Sequence, residues 1–258
     1  MDRIASLFAT KKNRIISVYF TAGFPQLHDT VTIIKELAHQ GVDMIEIGIP
    51  YSDPMADGPV IQHSSQQALE NGMSQKLLFE QLATIRQEVS IPLVFMGYLN
   101  TIMQFGFERF CQQAAHIGID GLIIPDIPLD VYVKEYKTIV EQYGLKFILL
   151  ITPETTEERI RQIDAVSSGF VYMVSSAATT GSQQSFDTEK QAYFKRIDAM
   201  KLKNPTVVGF GVSNNATFEA ACAYANGAII GSEFIKQLQN QPSIPLAVST
   251  LLSTIKGS

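Results

Sequence analysis

The chain is 258 residues long, 46% hydrophobic, and carries a formal charge of −5 with its 20 lysines and arginines scattered along its length. That length and apolar fraction suit one well-buried domain, and the lack of a basic block argues against a nucleic-acid or lipid-surface footprint while leaving room for a small anion held by backbone amides. Cys111 and Cys222 each fall in an expected helix, the amino-terminal stretch is too short and charged for a signal peptide, and no apolar run is of bilayer length, so the sequence predicts a soluble, cytoplasmic protein without a disulfide framework.

Short β-branched or apolar runs alternate with amphipathic stretches, the pattern of a parallel sheet wrapped by helices. Strands are predicted at 15–20, 44–47, 93–96, 121–124, 146–151, 170–174, 206–209 and 228–231. Between them, helices are predicted at 27–40, 75–88, 107–117, 131–143, 157–166 and 217–225. Thr155 or Thr156, and Asn214 or Asn215, are the expected amino-terminal caps of the last two. Eight βα units in this length predict a single (β/α)8 barrel, a TIM barrel with extra short helices, spanning 1–258. An open doubly wound sheet would more often show a glycine fingerprint after its first strand, and Thr21-Ala22-Gly23-Phe24-Pro25 does not supply one.

Two segments exceed the minimal repeat, and both follow strands at the carboxyl end, where barrel enzymes place their chemistry. Residues 50–74 carry a long loop and a polar helix at 60–70, and residues 175–187, rich in Ser, Thr, Ala and Gly, read as a mobile loop. Loops of this length are more often functional than not.

The second strand, Met44-Ile45-Glu46-Ile47-Gly48, places a carboxylate in an apolar run. Strand alternation sends Glu46 to the face opposite Ile45 and Ile47, which in a closed barrel is the lumen. A desolvated carboxyl there has a raised pKa suited to proton transfer, although a structural carboxylate held by a neighbouring donor would read the same way. Asp57, eleven positions on, precedes Gly58-Pro59 and a helix, which equally fits a turn or cap residue. Asp53, in an Asp-Pro turn, has that bland reading too, and Asp126 at the end of the fourth strand reads as a loop-organising acid. Glycines follow the last three strands: Gly181 after Thr180, Gly211 after Phe210, and Gly231 before Ser232. Each alone is a turn device, but together, with a short helix at 232–238, they fit a phosphate site of backbone amides at a helix amino terminus. Tyr19, Met96, Tyr98, Ile123, Tyr172 and Phe210 stand near strand tops, where barrel core is the ordinary role; Tyr172 differs because its hydroxyl needs a partner. The four histidines share no ligand spacing, so no metal is expected.

On these motifs the chain resembles the tryptophan synthase alpha subunit along nearly its whole length. The resemblance rests on the run from Tyr19 to Pro25, the run from Glu46 to Pro59, Met96-Gly97-Tyr98-Leu99-Asn100, Pro125-Asp126-Ile127-Pro128, Gly169-Phe170-Val171-Tyr172, Gly209-Phe210-Gly211-Val212 and Gly231-Ser232. It implies a lyase that cleaves indole-3-glycerol phosphate to indole and glyceraldehyde 3-phosphate in tryptophan biosynthesis. By motif position it implies that Glu46 transfers the proton, that Asp57 faces the indole nitrogen, and that Gly181, Gly211, Gly231 and Ser232 meet the phosphate. Tyr19, Tyr98, Ile123, Tyr172, Thr180 and Phe210 are implied around the substrate. The resemblance further implies no cofactor in this chain, a beta chain carrying pyridoxal phosphate, an alpha2-beta2 heterotetramer, and Asp53 and Asn100 at the interface. One departure stands out: after strand six the family has Ser-Arg-x-Gly-Val-Thr-Gly, whereas this chain reads Ser175-Ser176-Ala177-Ala178-Thr179-Thr180-Gly181. Without that arginine and first glycine, slower or less tightly gated turnover is expected in the absence of the partner. Rival readings are a different phosphate-binding barrel isomerase, which Glu46 and Asp57 argue against, a regulatory alpha-like subunit with little activity of its own, and a stand-alone indole-releasing lyase.

Overall fold

Strand faces are decided by what each side chain finds on either side of a parallel sheet, and here both sides are apolar. The computed structural model describes residues 2–175 and 186–257. Within them, β1 (Ile15–Thr21), β2 (Met44–Gly48), β3 (Leu93–Met96), β4 (Gly121–Ile123), β5 (Lys146–Ile151), β6 (Val171–Val174), β7 (Thr206–Gly209) and β8 (Gly227–Ile230) pair in parallel in chain order, and β8 returns to β1 to close the barrel. The expected strands are met to within one residue at nearly every edge, because runs buried on both faces stand out from amphipathic helices.

The helices are α1 (Arg3–Thr10), α2 (Asp29–His39), α3 (Pro59–Glu70), α4 (Gln75–Leu82), α5 (Leu99–Phe105), α6 (Phe107–His116), α7 (Leu129–Val131), α8 (Lys137–Gln142), α9 (Glu157–Val166), α10 (Thr188–Ala199), α11 (Asn215–Cys222), α12 (Ser232–Asn240) and α13 (Ile244–Lys256). The Thr156 hydroxyl caps α9, and Asn214 caps α11 in a reciprocal capping box with Thr217, as the sequence indicates. Two expected helices are interrupted. The stretch 75–88 stops at Leu82 and resumes as a 3-10 turn over Ile85–Gln87, where Arg86 reaches across to the Gly118 and Ile91 carbonyls and to Asp120. The stretch 131–143 contains a π-helical turn, Tyr132–Tyr136, whose extra residue per turn accompanies stacking of Tyr132 on Phe147 at 3.8 Å and of Tyr136 near Phe107 at 4.1 Å.

Two apolar layers result. Val18, Phe20, Ile45, Ile47, Phe95 and Phe147 face outward and pack under the helices. Met44, Val94, Ile148, Phe170, Val207 and Ile229 fill the lumen, and Ile4 of α1, wholly buried, plugs its amino end with Leu7 and Phe8 alongside. That plug is held from outside by Arg3, which pairs with Asp120 at 2.9 Å while Asp120 also accepts from the Leu93 amide. With the amino end sealed, the carboxyl end is left for a site. No helix among the described residues is long and apolar enough to cross a membrane.

Candidate active site

Met44 belongs to the lumen layer while Ile45 and Ile47 belong to the outer one, so the pleat turns Glu46 inward, as its position in the strand predicts. The side chain is wholly buried. Its neighbours are Tyr19, its register partner on β1, and Val94 on β3. Ser17 Oγ, two residues before Tyr19 on the same inward face, donates to Glu46 Oε1 at 3.3 Å, and Oε2 is buried without a hydrogen-bond partner among the described residues. Burial pushes the carboxyl up to about 8, opposed only by the Ser17 hydroxyl, so at neutral pH it holds its proton.

Asp57 is held differently. It lies at the end of the loop after β2, immediately before Gly58 and the Pro59 that starts α3, and it is 5% exposed. Its side chain does not cap that helix. Instead Tyr98 Oη donates to Asp57 Oδ2 at 2.9 Å and in turn accepts from the Ala56 amide at 3.0 Å. Burial raises this carboxyl to about 6 against the pull of the Tyr98 hydrogen bond, which leaves it mostly ionised at neutral pH. Two acids thus sit in environments that separate their proton affinities.

Above them opens a cleft of about 680 Å³, counting the space at its mouth, lined by Tyr19, Asp57, Ile61, Met96, Tyr172, Phe210, Gly211, Ile229, Gly231 and Ser232 among others. Glu46 is not in its wall. It lies in the lumen behind the floor near Tyr19 and Tyr172, whose phenols are driven far above the usual tyrosine range by burial first, with the charges of Asp57 and Glu46 adding to it. Glycines make room for those two rings: a Cβ on Gly48 would fall 2.2 Å from Tyr19 Oη, and one on Gly209 would fall 2.1 Å from Tyr172 Oη. Beyond Gly209 the chain turns through two left-handed residues, Phe210 at φ 63° and Gly211 at φ 75°. A left-handed phenylalanine is costly and persists where neighbours fix it. Here Ser175 Oγ donates to the Phe210 carbonyl at 2.5 Å, and the Phe210 ring meets Tyr172 edge-on. Gly231 precedes α12, whose first residues, Ser232 and Glu233, line the cleft. Glu233 is engaged by Gln237 Nε2 at 2.8 Å and by Lys236, which offsets its charge. No lysine or arginine is among the described residues of the wall, whose donors are backbone amides and hydroxyls.

Most sequence-predicted site residues therefore converge. Ile123 is wholly buried in the lumen layer and does not reach the cleft wall. Asp53 and Asn100 are exposed on the rim, where Asn100 donates to Tyr51 Oη at 3.3 Å. Asp126 accepts the Leu99 amide at the start of α5, the loop-organising role its position suggests. Thr180 and Gly181, with the rest of 176–185, lie outside the described residues. Ser17 was not singled out by sequence, although a serine two residues before Tyr19 in Ile15-Ile16-Ser17-Val18-Tyr19 signals a polar group aimed into the same lumen.

Against known proteins, the tryptophan synthase alpha chain family matches residues 4–253. The chain belongs to that family. It is 60% identical over 256 residues to the tryptophan synthase alpha chain of Parabacteroides distasonis, covering 99% of this chain and 100% of the relative. It is likewise 60% identical to that of Bacteroides thetaiotaomicron, with the same coverage. Among solved structures, tryptophan synthase subunit alpha from Legionella pneumophila superposes with a TM-score of 0.89 at 31% identity, covering 100% of this chain and 98% of that one. The aminoacrylate-bound tryptophan synthase from M. tuberculosis gives a TM-score of 0.86 at 27% identity, covering 99% and 98%. As a tryptophan synthase alpha chain it is a lyase that cleaves indole-3-glycerol phosphate in tryptophan biosynthesis, and the cleft's apolar floor and amide-rich rim suit an aromatic bicycle joined to a phosphate.

Proposed function

We propose that Glu46 moves the proton in this cleavage and that Asp57 stabilises the charge it creates. In the neutral state Glu46 gives its proton to indole C3, forming a C3–H bond and leaving positive charge on the ring nitrogen. The Asp57 carboxylate, held by Tyr98, meets that charge in the transition state more strongly than it meets the neutral ring. Glu46, now a carboxylate, takes the proton from the hydroxyl on the adjoining side-chain carbon. As that oxygen becomes an aldehyde, the bond to C3 breaks and its electron pair returns to the ring, neutralising the nitrogen. Indole and glyceraldehyde 3-phosphate leave, and Glu46 ends protonated as it began. The observation that carries this reading is a wholly buried lumen glutamate with a carboxyl raised by burial to about 8, with an aspartate at about 6 in the wall of the cleft. The carboxyl lies behind the cleft lining near Tyr19 and Tyr172, so C3 must come within reach of Oε2, the oxygen without a partner among the described residues.

The phosphate is held by the amides and hydroxyl around Gly211, Gly231 and Ser232. The chain carries no cofactor for this step, since proton transfer by Glu46 suffices. Indole passes to a beta chain that bears pyridoxal phosphate, within an alpha2-beta2 heterotetramer in the cytoplasm, and Asp53 and Asn100 on the exposed rim belong to that contact. Purified protein mixed with indole-3-glycerol phosphate, with and without a beta chain, tests the reading. Indole release should require Glu46, falling by at least about 10²-fold in Glu46→Gln, and should rise when the beta chain is added. Most of the activity surviving in Glu46→Gln would sink the proton-transfer role; equal rates with and without the partner would sink the coupling.

A further inference from the structure

Among the described residues one hydroxyl hydrogen-bonds to the Glu46 carboxyl. The register neighbours of Glu46 are Tyr19 and Val94, the two oxygens of its carboxyl are buried, and only Oε1 meets a donor, Ser17 Oγ, itself wholly buried. A carboxylic acid has one carbonyl oxygen and one hydroxyl oxygen, and a hydroxyl donor nearby stabilises the carbonyl role of the oxygen it faces. We infer that Ser17 is a positioning residue for the reaction: by donating to Glu46 Oε1 it makes that oxygen the carbonyl end, places the transferable proton on Oε2, and then holds the carboxylate that proton transfer leaves behind. The inference rests on the reading of Glu46 as the proton donor.

At its resting distance this bond is weak and has room to shorten. At 3.3 Å the bond is long for a hydroxyl and a neutral carboxyl, whereas a hydroxyl on an ionised carboxylate shortens to about 2.5–2.7 Å and roughly doubles in strength. An interaction that tightens only once Glu46 has lost its proton lowers the barrier to losing it. The other titratable groups facing this carboxyl are Tyr19 on β1 and Tyr172 on β6, both held neutral far into alkaline pH, with Asp57 from the loop after β2 acting on the same two phenols. Tyr19 and Tyr172 keep one protonation state through the range in which Glu46 titrates, so Ser17 is the group whose removal changes that titration.

The test compares Ser17→Ala, Ser17→Thr, Glu46→Gln and the Ser17→Ala/Glu46→Gln double variant, all with indole-3-glycerol phosphate as substrate. Ser17→Ala should lower kcat about tenfold with KM little changed, consistent with losing one hydrogen bond to a charged group. It should also move the alkaline limb of the kcat/KM profile upward, because the donor that favours ionised Glu46 is gone. Ser17→Thr, which keeps a hydroxyl, should restore both toward wild type. In the Glu46→Gln background, Ser17→Ala should add no further loss, since its effect runs through the carboxyl. An unchanged kcat and alkaline limb in Ser17→Ala, with Glu46→Gln inactive, would overturn this inference alone. A higher kcat in Ser17→Ala would mean that Ser17 holds Glu46 away from the substrate, and an equal loss in both backgrounds would mean that Ser17 only supports the fold; each overturns it. High activity in Glu46→Gln would instead remove the parent reading, and this one with it.

Discussion

Replacing Glu46 by glutamine should make the protein more stable as well as inactive, and the stability gain should grow with pH. Glutamine has the shape of the neutral acid but no proton to lose. In the unfolded chain a glutamate ionises near 4.5, and in the barrel Glu46 does so near 8. Below the lower value both states carry the proton and nothing is lost. Between the two values the unfolded chain sheds its proton first, so wild-type stability falls as pH rises, and above the upper value the loss is complete. At about 1.4 kcal/mol for each pH unit climbed between those two values, the penalty is about 3 kcal/mol at neutral pH and about 5 kcal/mol at the alkaline plateau. Urea unfolding of both proteins from about pH 5 to about pH 9 should show the variant's advantage widening by about 4 kcal/mol. A difference that stays flat across that range would refute the reasoning, because it would mean that the folded protein already tolerates the ionised carboxylate.

The remaining expectations concern the groups around the pair. Tyr98→Phe removes the donor to Asp57 Oδ2 at 2.9 Å; kcat should fall about tenfold, and the acid limb of kcat/KM should move upward from about 6 as the favoured ionised form loses its partner. An unmoved acid limb would count against Asp57 as the ionising group. Gly209→Ala would set a Cβ 2.1 Å from Tyr172 Oη, so the ring must shift; stability should drop by about 1–3 kcal/mol, with KM rising, and wild-type melting and kinetics would show that the close approach is not needed. Gly231→Asp puts a negative charge at the start of α12, so KM for the phosphorylated substrate should rise at least about tenfold; unchanged affinity would place the phosphate elsewhere.

Strands were legible in the sequence because a parallel barrel buries both faces of each one, which turns Val171–Val174 or Thr206–Gly209 into unbroken apolar runs. Glu46 was legible for the complementary reason, as the one carboxylate in such a run. Caps at Thr156 and Asn214 were readable because their chemistry is local. What escaped depends on partners far along the chain. Tyr98 reaches Asp57 across 41 residues and Ser17 reaches Glu46 across 29, and no local pattern encodes either pairing. The same applies to the break near Arg86, which is drawn to Gly118 and Asp120, and to the π turn set by rings on neighbouring elements. Ile123 stands at its strand top as expected, with its side chain in the lumen layer.

The claim on which the rest depends is that Glu46 is an uncharged acid at neutral pH. Infrared difference spectra between wild type and Glu46→Gln, recorded across pH, read that carboxyl directly. The account predicts a protonated carboxyl band at neutral pH that disappears with a midpoint near 8, coincident with the alkaline limb of kcat/KM. A carboxylate band already present at about pH 6 would contradict it.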